Sequence, residues 1–363
     1  MALTFYKGKT VLVTGDTGFK GSWLSLWLLS RGARVIGYAL PPKKREHFDA
    51  CSLTRKMRHV DGDIRDARHL EKVMHGAKPD VAFHLAAQPL VLESYKDPVD
   101  TFDVNVMGTV NFLEAVRAYK SIKAAVVITT DKVYENSEDG RAFRESDRLG
   151  GHDPYSGSKA AAELVTQSYS RSFFARDSGA SVASARAGNV IGGGDFAQYR
   201  IVPDCIRALK SGKPIVVRNP CSTRPWQHVL EPLYGYLLLA ASLFEAGKEF
   251  CGPWNFGSSP GQSRTVEELV KELVGVWGNG TVRFLDSKKP KPREANHLQL
   301  NSTKAASLLG WERVFTFKES IRNTVEEYRI MEHTRGDELF LDRIKRIESF
   351  EKKINTKKAI SRK

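Results

Sequence analysis

Short β-branched runs alternate with longer amphipathic segments through the first half of the chain. Thr10–Thr14, Arg34–Tyr38, Val81–Ala86 and Ala124–Thr130 predict strands. Ser22–Arg31, carrying Trp23, Leu24, Leu26 and Trp27, predicts a helix, as does Thr101–Tyr119. This alternation predicts an α/β fold, a doubly wound parallel sheet with helices on both faces. From about Arg186, glycine and proline clusters (Gly192–Gly194, Pro214, Pro220, Pro225, Pro232, Gly257–Gly261) cut the pattern into short pieces. They suit a smaller C-terminal α/β lobe laid over the sheet, with helices at Val266–Trp277 and Phe317–Glu332. The expected division is 1–186 for the sheet domain and 187–330 mainly for the lobe, some segments returning to the first domain. A basic tail, 331–363, completes it. There Ile344, Ile347 and Phe350 fit one apolar stripe, but the charge density predicts a solvated helix.

Composition sets outer bounds. The chain has 363 residues, 41 % hydrophobic and 27 % charged, enough for a core split between two lobes at most. The longest apolar stretches, Trp23–Leu29 and Tyr234–Leu243, are too short to span a bilayer, so no membrane partner is expected. Met1–Lys9 shows no secretory signal. Cys51, Cys205, Cys221 and Cys251 are scattered without metal-ligand spacing, which predicts buried free thiols in a reducing cytoplasm and no metal. The net charge of +14 invites a nucleic-acid reading. From Asp342 to Lys363, however, nine Lys/Arg face three acids, which puts +6 of the +14 in the tail. The remainder is spread, so no nucleic-acid partner is expected, and part of it is free to serve an anionic small substrate.

The strand Thr10–Thr14 runs into Gly15, Gly18 and Gly21, and a helix follows. The first glycine allows a tight turn, the second lets backbone approach a pyrophosphate, and the third packs helix on strand. The spacing Gly-x-x-Gly-x-x-Gly resembles the extended short-chain dehydrogenase/reductase family. That resemblance implies a Rossmann-type domain with NAD or NADP held by Gly15, Thr17, Gly18, Phe19, Lys20 and Gly21. Further marks follow in order. Gly62–Asp66 resembles the adenine loop, with Asp63 and Ile64 as contacts. His84–Gln88 resembles the segment under the diphosphate, with Leu85, Ala86, Ala87 and Gln88. Asn105 resembles the asparagine that steadies the active-site backbone. His84 by itself reads as a satisfied core histidine. No acid closes the second strand, and the following Lys43, Lys44 and Arg45 suit a 2′-phosphate by charge alone. The family resemblance points to NAD, which is the expectation adopted, with NADP not excluded.

Tyr155 and Lys159 stand at i and i+4, one face of a helix. Lys159 beside the phenol is expected to lower its pKa, so that Tyr155 exchanges a proton with a sugar hydroxyl. Thr130, at the end of its strand and 25 residues before Tyr155, supplies the partner hydroxyl. Thr129 precedes it at the cofactor. Asp131 and Lys132 follow, and this acid–base pair resembles sugar-nucleotide 4,6-dehydratases rather than 4-epimerases. Lys132 is expected to take the C5 proton and Asp131 to protonate the C6 hydroxyl.

Within that group the chain resembles the branch acting on CDP-glucose, from about Phe5 to Trp311. The most specific stretches are Gly18–Trp27, Ala86–Val91, Gly150–Tyr155, Arg186–Asp195 and Arg224–Pro232. The resemblance implies Asn189 near nicotinamide and substrate, and Arg224 on the substrate pyrophosphate. Gln88, Arg200, Arg218, His228 and Glu294 are further substrate candidates. It also implies deoxysugar synthesis of the O-antigen kind, and a homodimer or pair of dimers through the Asn105–Lys120 region and the Tyr155 helix. Glu93 and Asn301 depart from the pattern. The alternatives are another nucleotide-sugar 4,6-dehydratase or a 4-epimerase on a UDP-, dTDP- or GDP-sugar.

Overall fold

The computed structural model describes residues 3–136, 139–174, 179–257, 263–285 and 298–360. Seven parallel strands form the main sheet: β1 (Thr10–Thr14), β2 (Arg34–Ala39), β3 (Arg58–Asp61), β4 (Val81–His84), β5 (Ala124–Ile128), β6 (Ser181–Ala187) and β7 (Gly252–Phe256). Their order is β7-β6-β5-β4-β1-β2-β3. The chain reverses its direction of travel across the sheet between β1 and β4, so a crevice opens beyond the strand ends there. In register, Val13 lies opposite Gly37 on β2 and Phe83 on β4.

Period-two alternation builds two cores from one sheet. Val11 and Val13 face a core completed by α1 (Phe19–Ser30), while Leu12 faces one completed by α2 (Ala67–Ala77) and α3 (Gly108–Ala118). The predicted helix Thr101–Tyr119 is interrupted: Asp103–Met107 widens into a π-turn before α3 begins. Next comes α4 (Pro154–Tyr169), started by Asp153, whose side chain accepts from the Ser156 N–H. The second lobe has its own core from α5 (Ile201–Lys210), α7 (Val266–Trp277) and α8 (Phe317–His333). Between them α6 (Leu230–Ala246) packs on the main sheet's first core. Capping boxes at Thr265 and Thr316 start α7 and α8 where the pattern predicts them.

The tail overturns its expectation. Gly336–Ile360 is a helix, α9, whose Leu339, Ile347, Phe350 and Ile354 are buried. Phe350 stands edge-on to Phe315 at 5.0 Å and to Trp27 of α1 at 5.7 Å. Trp27 Nε1 donates to Glu351 at 2.7 Å. Arg343, fully buried, donates to the Glu327 carbonyl of α8 at 2.9 Å and lies over the Trp23 ring. The lysines that suggested a solvated helix, Lys345, Lys352, Lys353, Lys357 and Lys358, occupy its outer face, whereas Arg343 turns inward. Among the described residues no helix is long and apolar enough to cross a membrane.

Candidate active site

A cleft of about 1410 Å³ opens at the crevice between the two lobes. That exceeds one ordinary small-ligand pocket and leaves room for two ligands side by side. Gly15, Thr17, Gly18, Phe19, Lys20 and Gly21 form its floor on one side. Gly15 has φ +72, and a Cβ there would meet Ala86 N at 2.6 Å. A Cβ on Gly21 would meet the Gly15 carbonyl at 2.1 Å. The turn therefore presents bare backbone at the N-terminus of α1, a cradle for phosphate oxygens. Asp63, Ile64, Leu85, Ala86, Ala87 and Gln88 continue the wall. Of the basic run only Lys43 lines the cleft, beside Glu46; Lys44 and Arg45 do not.

Asp16, in the same turn, was not singled out from the sequence. It is fully buried, and its Oδ2 sits 2.7 Å from His59 Nδ1. Gly37 makes room for it, since a Cβ there would fall 1.9 Å from Asp16 Oδ2. Asn105 acts from behind the wall rather than on it. Its Oδ1 accepts from Gln88 N at 2.8 Å, and its Nδ2 donates to Gln88 O and Ser158 Oγ. The Gln88 side chain is held by Leu90 and Thr101. His84 is the core histidine expected, between Thr14 and Thr109 and stacked on Phe112.

The end of β5 brings Thr129, Thr130, Asp131 and Lys132 into the cleft, facing Tyr155 and Lys159 of α4. The Thr130 hydroxyl donates to Asp131 Oδ1 at 3.0 Å, with the Tyr155 phenol facing it across the cleft. Asp131 Oδ2 is buried without a hydrogen-bond partner. Burial pushes the Asp131 carboxyl up, against Lys132, Thr130, Arg224 and Lys20, which pull it down. Lys159 Nζ donates to the Ile128 carbonyl at 3.2 Å; burial pushes it down to about 8. The expected lowering of Tyr155 is reversed here. Burial pushes the phenol up to about 12, outweighing the Thr130 hydroxyl and the charge of Arg200. Desolvation of a phenolate costs more than the neighbouring charges return.

From the second lobe Asn189, Arg200, Arg218 and Arg224 line the opposite wall. Arg200 pairs with Asp195 at 2.9 Å. His228 does not reach the cleft; it is buried, with Nε2 3.1 Å from Glu327 Oε1. The family resemblance implied a contact around the substrate, but an acid on α8 claims its ring. Glu294 lies outside the described residues. Cys51 and Cys205 are buried as expected, whereas Cys221 is exposed beside Ser222 of the cleft rim.

Sequence reasoning also passed over Glu163, Arg186 and Tyr134, which are buried together behind the loop that follows β5. Glu163 carried a signal: it follows Tyr155 and Lys159 at the next i+4 on the same helix face.

Comparison with known proteins identifies the family. A family model described as GDP-mannose 4,6 dehydratase matches residues 12–324. The CDP-glucose 4,6-dehydratase of Salmonella typhimurium is 44 % identical over 342 residues, 93 % of this chain and 94 % of that protein. The CDP-paratose 2-epimerase of Salmonella typhi is 32 % identical, over 76 % of this chain and 86 % of its own. Among solved structures, the UDP-glucose 4-epimerase of Thermus thermophilus complexed with NAD superposes with TM-score 0.76 at 27 % identity, covering 88 % of this chain and 99 % of that one. A dTDP-glucose 4,6-dehydratase from Streptomyces venezuelae with NAD and TYD bound gives TM-score 0.76 at 26 % identity, covering 88 % and 97 %. With its glycine turn, its seven-stranded parallel sheet and a family match over most of its length, the chain belongs to the GDP-mannose 4,6 dehydratase family of the NAD-dependent epimerase/dehydratase superfamily.

Proposed function

We propose that this chain is an NAD-dependent CDP-glucose 4,6-dehydratase. The observation that carries the reading is the Asp131–Lys132 pair at the end of β5. A buried carboxyl with one unpartnered oxygen adjoins an amine, in the same cleft as Thr130, Tyr155 and Lys159. The 44 % identical Salmonella enzyme supports CDP-glucose as substrate. The bare-backbone glycine cradle fits a dinucleotide diphosphate, and the NAD-bound relatives support NAD. Glu46, which lines the cleft with Lys43, disfavours a 2′-phosphate.

When bound, NAD supplies reversible hydride chemistry, accepting from sugar C4 and returning to C6. Gly15 through Gly21 would hold its diphosphate, with Asp63 and Ile64 at the adenosine end and Leu85 to Gln88 beneath. With Lys159 and the cationic ring of bound NAD offsetting the burial that favours the neutral phenol, Tyr155 would take the proton of the sugar 4-hydroxyl, and Thr130 would bond the same oxygen. The 4-keto group acidifies C5, whose proton goes to Lys132. Asp131, favoured in its neutral form by burial, protonates the C6 hydroxyl, which leaves as water. The proton returned to C5 comes from solvent, and the product is CDP-4-dehydro-6-deoxy-D-glucose. Arg224 and Arg218 face the substrate pyrophosphate, with Asn189 and Arg200 near the sugar.

Val99, Phe102, Met107 and Leu164 expose apolar surface near the start of α3 and on α4, which supports a homodimer through that face. The free thiols support a cytoplasmic setting, in deoxysugar synthesis of the O-antigen kind. The test is incubation with CDP-, dTDP-, UDP- and GDP-glucose, read by mass spectrometry. CDP-glucose should lose one water. A new sugar of unchanged mass, separated from the substrate by chromatography, would identify a 4-epimerase instead.

A further inference from the structure

We infer that a buried ion-paired network, Glu163 and Arg186 joined to Thr129 and Tyr134, clamps both ends of the Asp131–Lys132 loop and positions that pair for elimination. The inference rests on the dehydratase reading above. At the start of the loop, Thr129 Oγ1 donates to Glu163 Oε1 at 2.5 Å. Glu163 lies one turn beyond Lys159 on α4. Its other oxygen accepts from Ser184 Oγ at 2.7 Å and from Arg186 Nη2 at 2.8 Å, both on β6. At the end of the loop, Arg186 Nη1 donates to the Tyr134 hydroxyl at 2.6 Å, with the guanidinium 4.8 Å above that ring. Tyr134 OH then donates to Asn255 Oδ1 of β7 at 2.8 Å.

One chain of contacts thus ties both ends of the loop to α4, β6 and β7. Both charges have no exposed surface. Burying such a pair is often no more stabilising than two apolar residues of the same volume, so fold stability alone does not account for it. Placement does. Glu163, Arg186 and Tyr134 do not line the cleft, so they are positioning residues. The same helix carries Tyr155 and Lys159. The clamp therefore fixes the elimination pair relative to the proton-transfer pair. Oxidation at C4 rests chiefly on Tyr155 and Lys159 of α4, with Thr130 adding one hydrogen bond, whereas loss of water rests wholly on where the loop holds Asp131 and Lys132.

Two variants test this. Tyr134→Phe removes one hydroxyl and keeps the ring stacked on Phe143 at 4.8 Å. Glu163→Leu with Arg186→Met removes both charges together and leaves no buried ion unpaired. In each, kcat for release of the 6-deoxy product should fall about tenfold to a hundredfold with KM little changed. The first-turnover rise of reduced-cofactor absorbance should persist. Independently of activity, amide hydrogen exchange across 129–135 should quicken while α4 keeps its protection. An equal fall in both chemical steps, or unchanged loop exchange, overturns the clamp. If the parent dehydrates a different nucleotide-glucose, the substrate assignment fails and the clamp is read with that sugar. If it dehydrates none of the four, both readings fail.

Discussion

Truncating Phe350 to Ala tests whether α9 is part of the fold. The ring has no exposed surface and meets Phe315, Trp27 and Tyr234 at centroid distances of 5.0, 5.7 and 6.3 Å. Removing a fully buried phenylalanine costs about 3–5 kcal/mol, transfer and cavity together. For 363 residues the unfolding entropy is about 0.76 kcal/mol per kelvin, from about 2.1 cal/mol/K per residue. The melting temperature should therefore fall by about 4–7 °C in scanning calorimetry. Lys352→Ala, two residues on and exposed, is the control and should shift it by less than about 1 °C. Equal small shifts from both would refute the packing of α9 and restore the solvated helix that its charge suggests.

Tyr155→Phe removes only the phenol oxygen, so kcat should drop about 10²–10⁴-fold while NAD titration and melting stay near the parent's; turnover within a few-fold rules out Tyr155 as the proton-transfer group. Lys132→Met should still show first-turnover cofactor reduction with CDP-glucose but suppress both water loss and C5 exchange with deuterated water. Normal C5 exchange in that variant would assign the base elsewhere. Burial pushes Glu327 up, yet His228 and Arg343 pull it down to about 2 from 4.5. A depressed carboxyl stabilises the fold above its unfolded pKa and loses that contribution as pH falls through the folded one. Between about pH 5 and pH 2 the parent should lose about 3 kcal/mol more than Glu327→Gln in denaturant titrations, and parallel curves would count against the pairing.

What the sequence revealed followed from local rules. β1 and α7 fall where alternation and periodicity put them, and the glycine turn and the Tyr155–Lys159 helix were legible because their spacing is the geometry. What it concealed required partners distant in the chain. α9 alternates buried apolar side chains with lysines, so composition spoke for solvent, while Trp27, some 320 residues earlier, decided for packing. His228 looked like a nucleotide contact until Glu327, 99 positions later, accounted for its ring. The direction of the Tyr155 shift was misread because charge pairs are visible in a motif and desolvation is not.

The distribution of the four cysteines also gives the molecule a built-in attachment point. Burial pushes the Cys51 and Cys205 thiols up to about 12 and raises Cys251 as well, which leaves them poor nucleophiles at neutral pH. Cys221 alone among the four is exposed, next to Ser222 on the rim of the cleft. A maleimide dye should therefore settle at one place in the unaltered sequence, where its fluorescence reports ligand entry without any engineered cysteine.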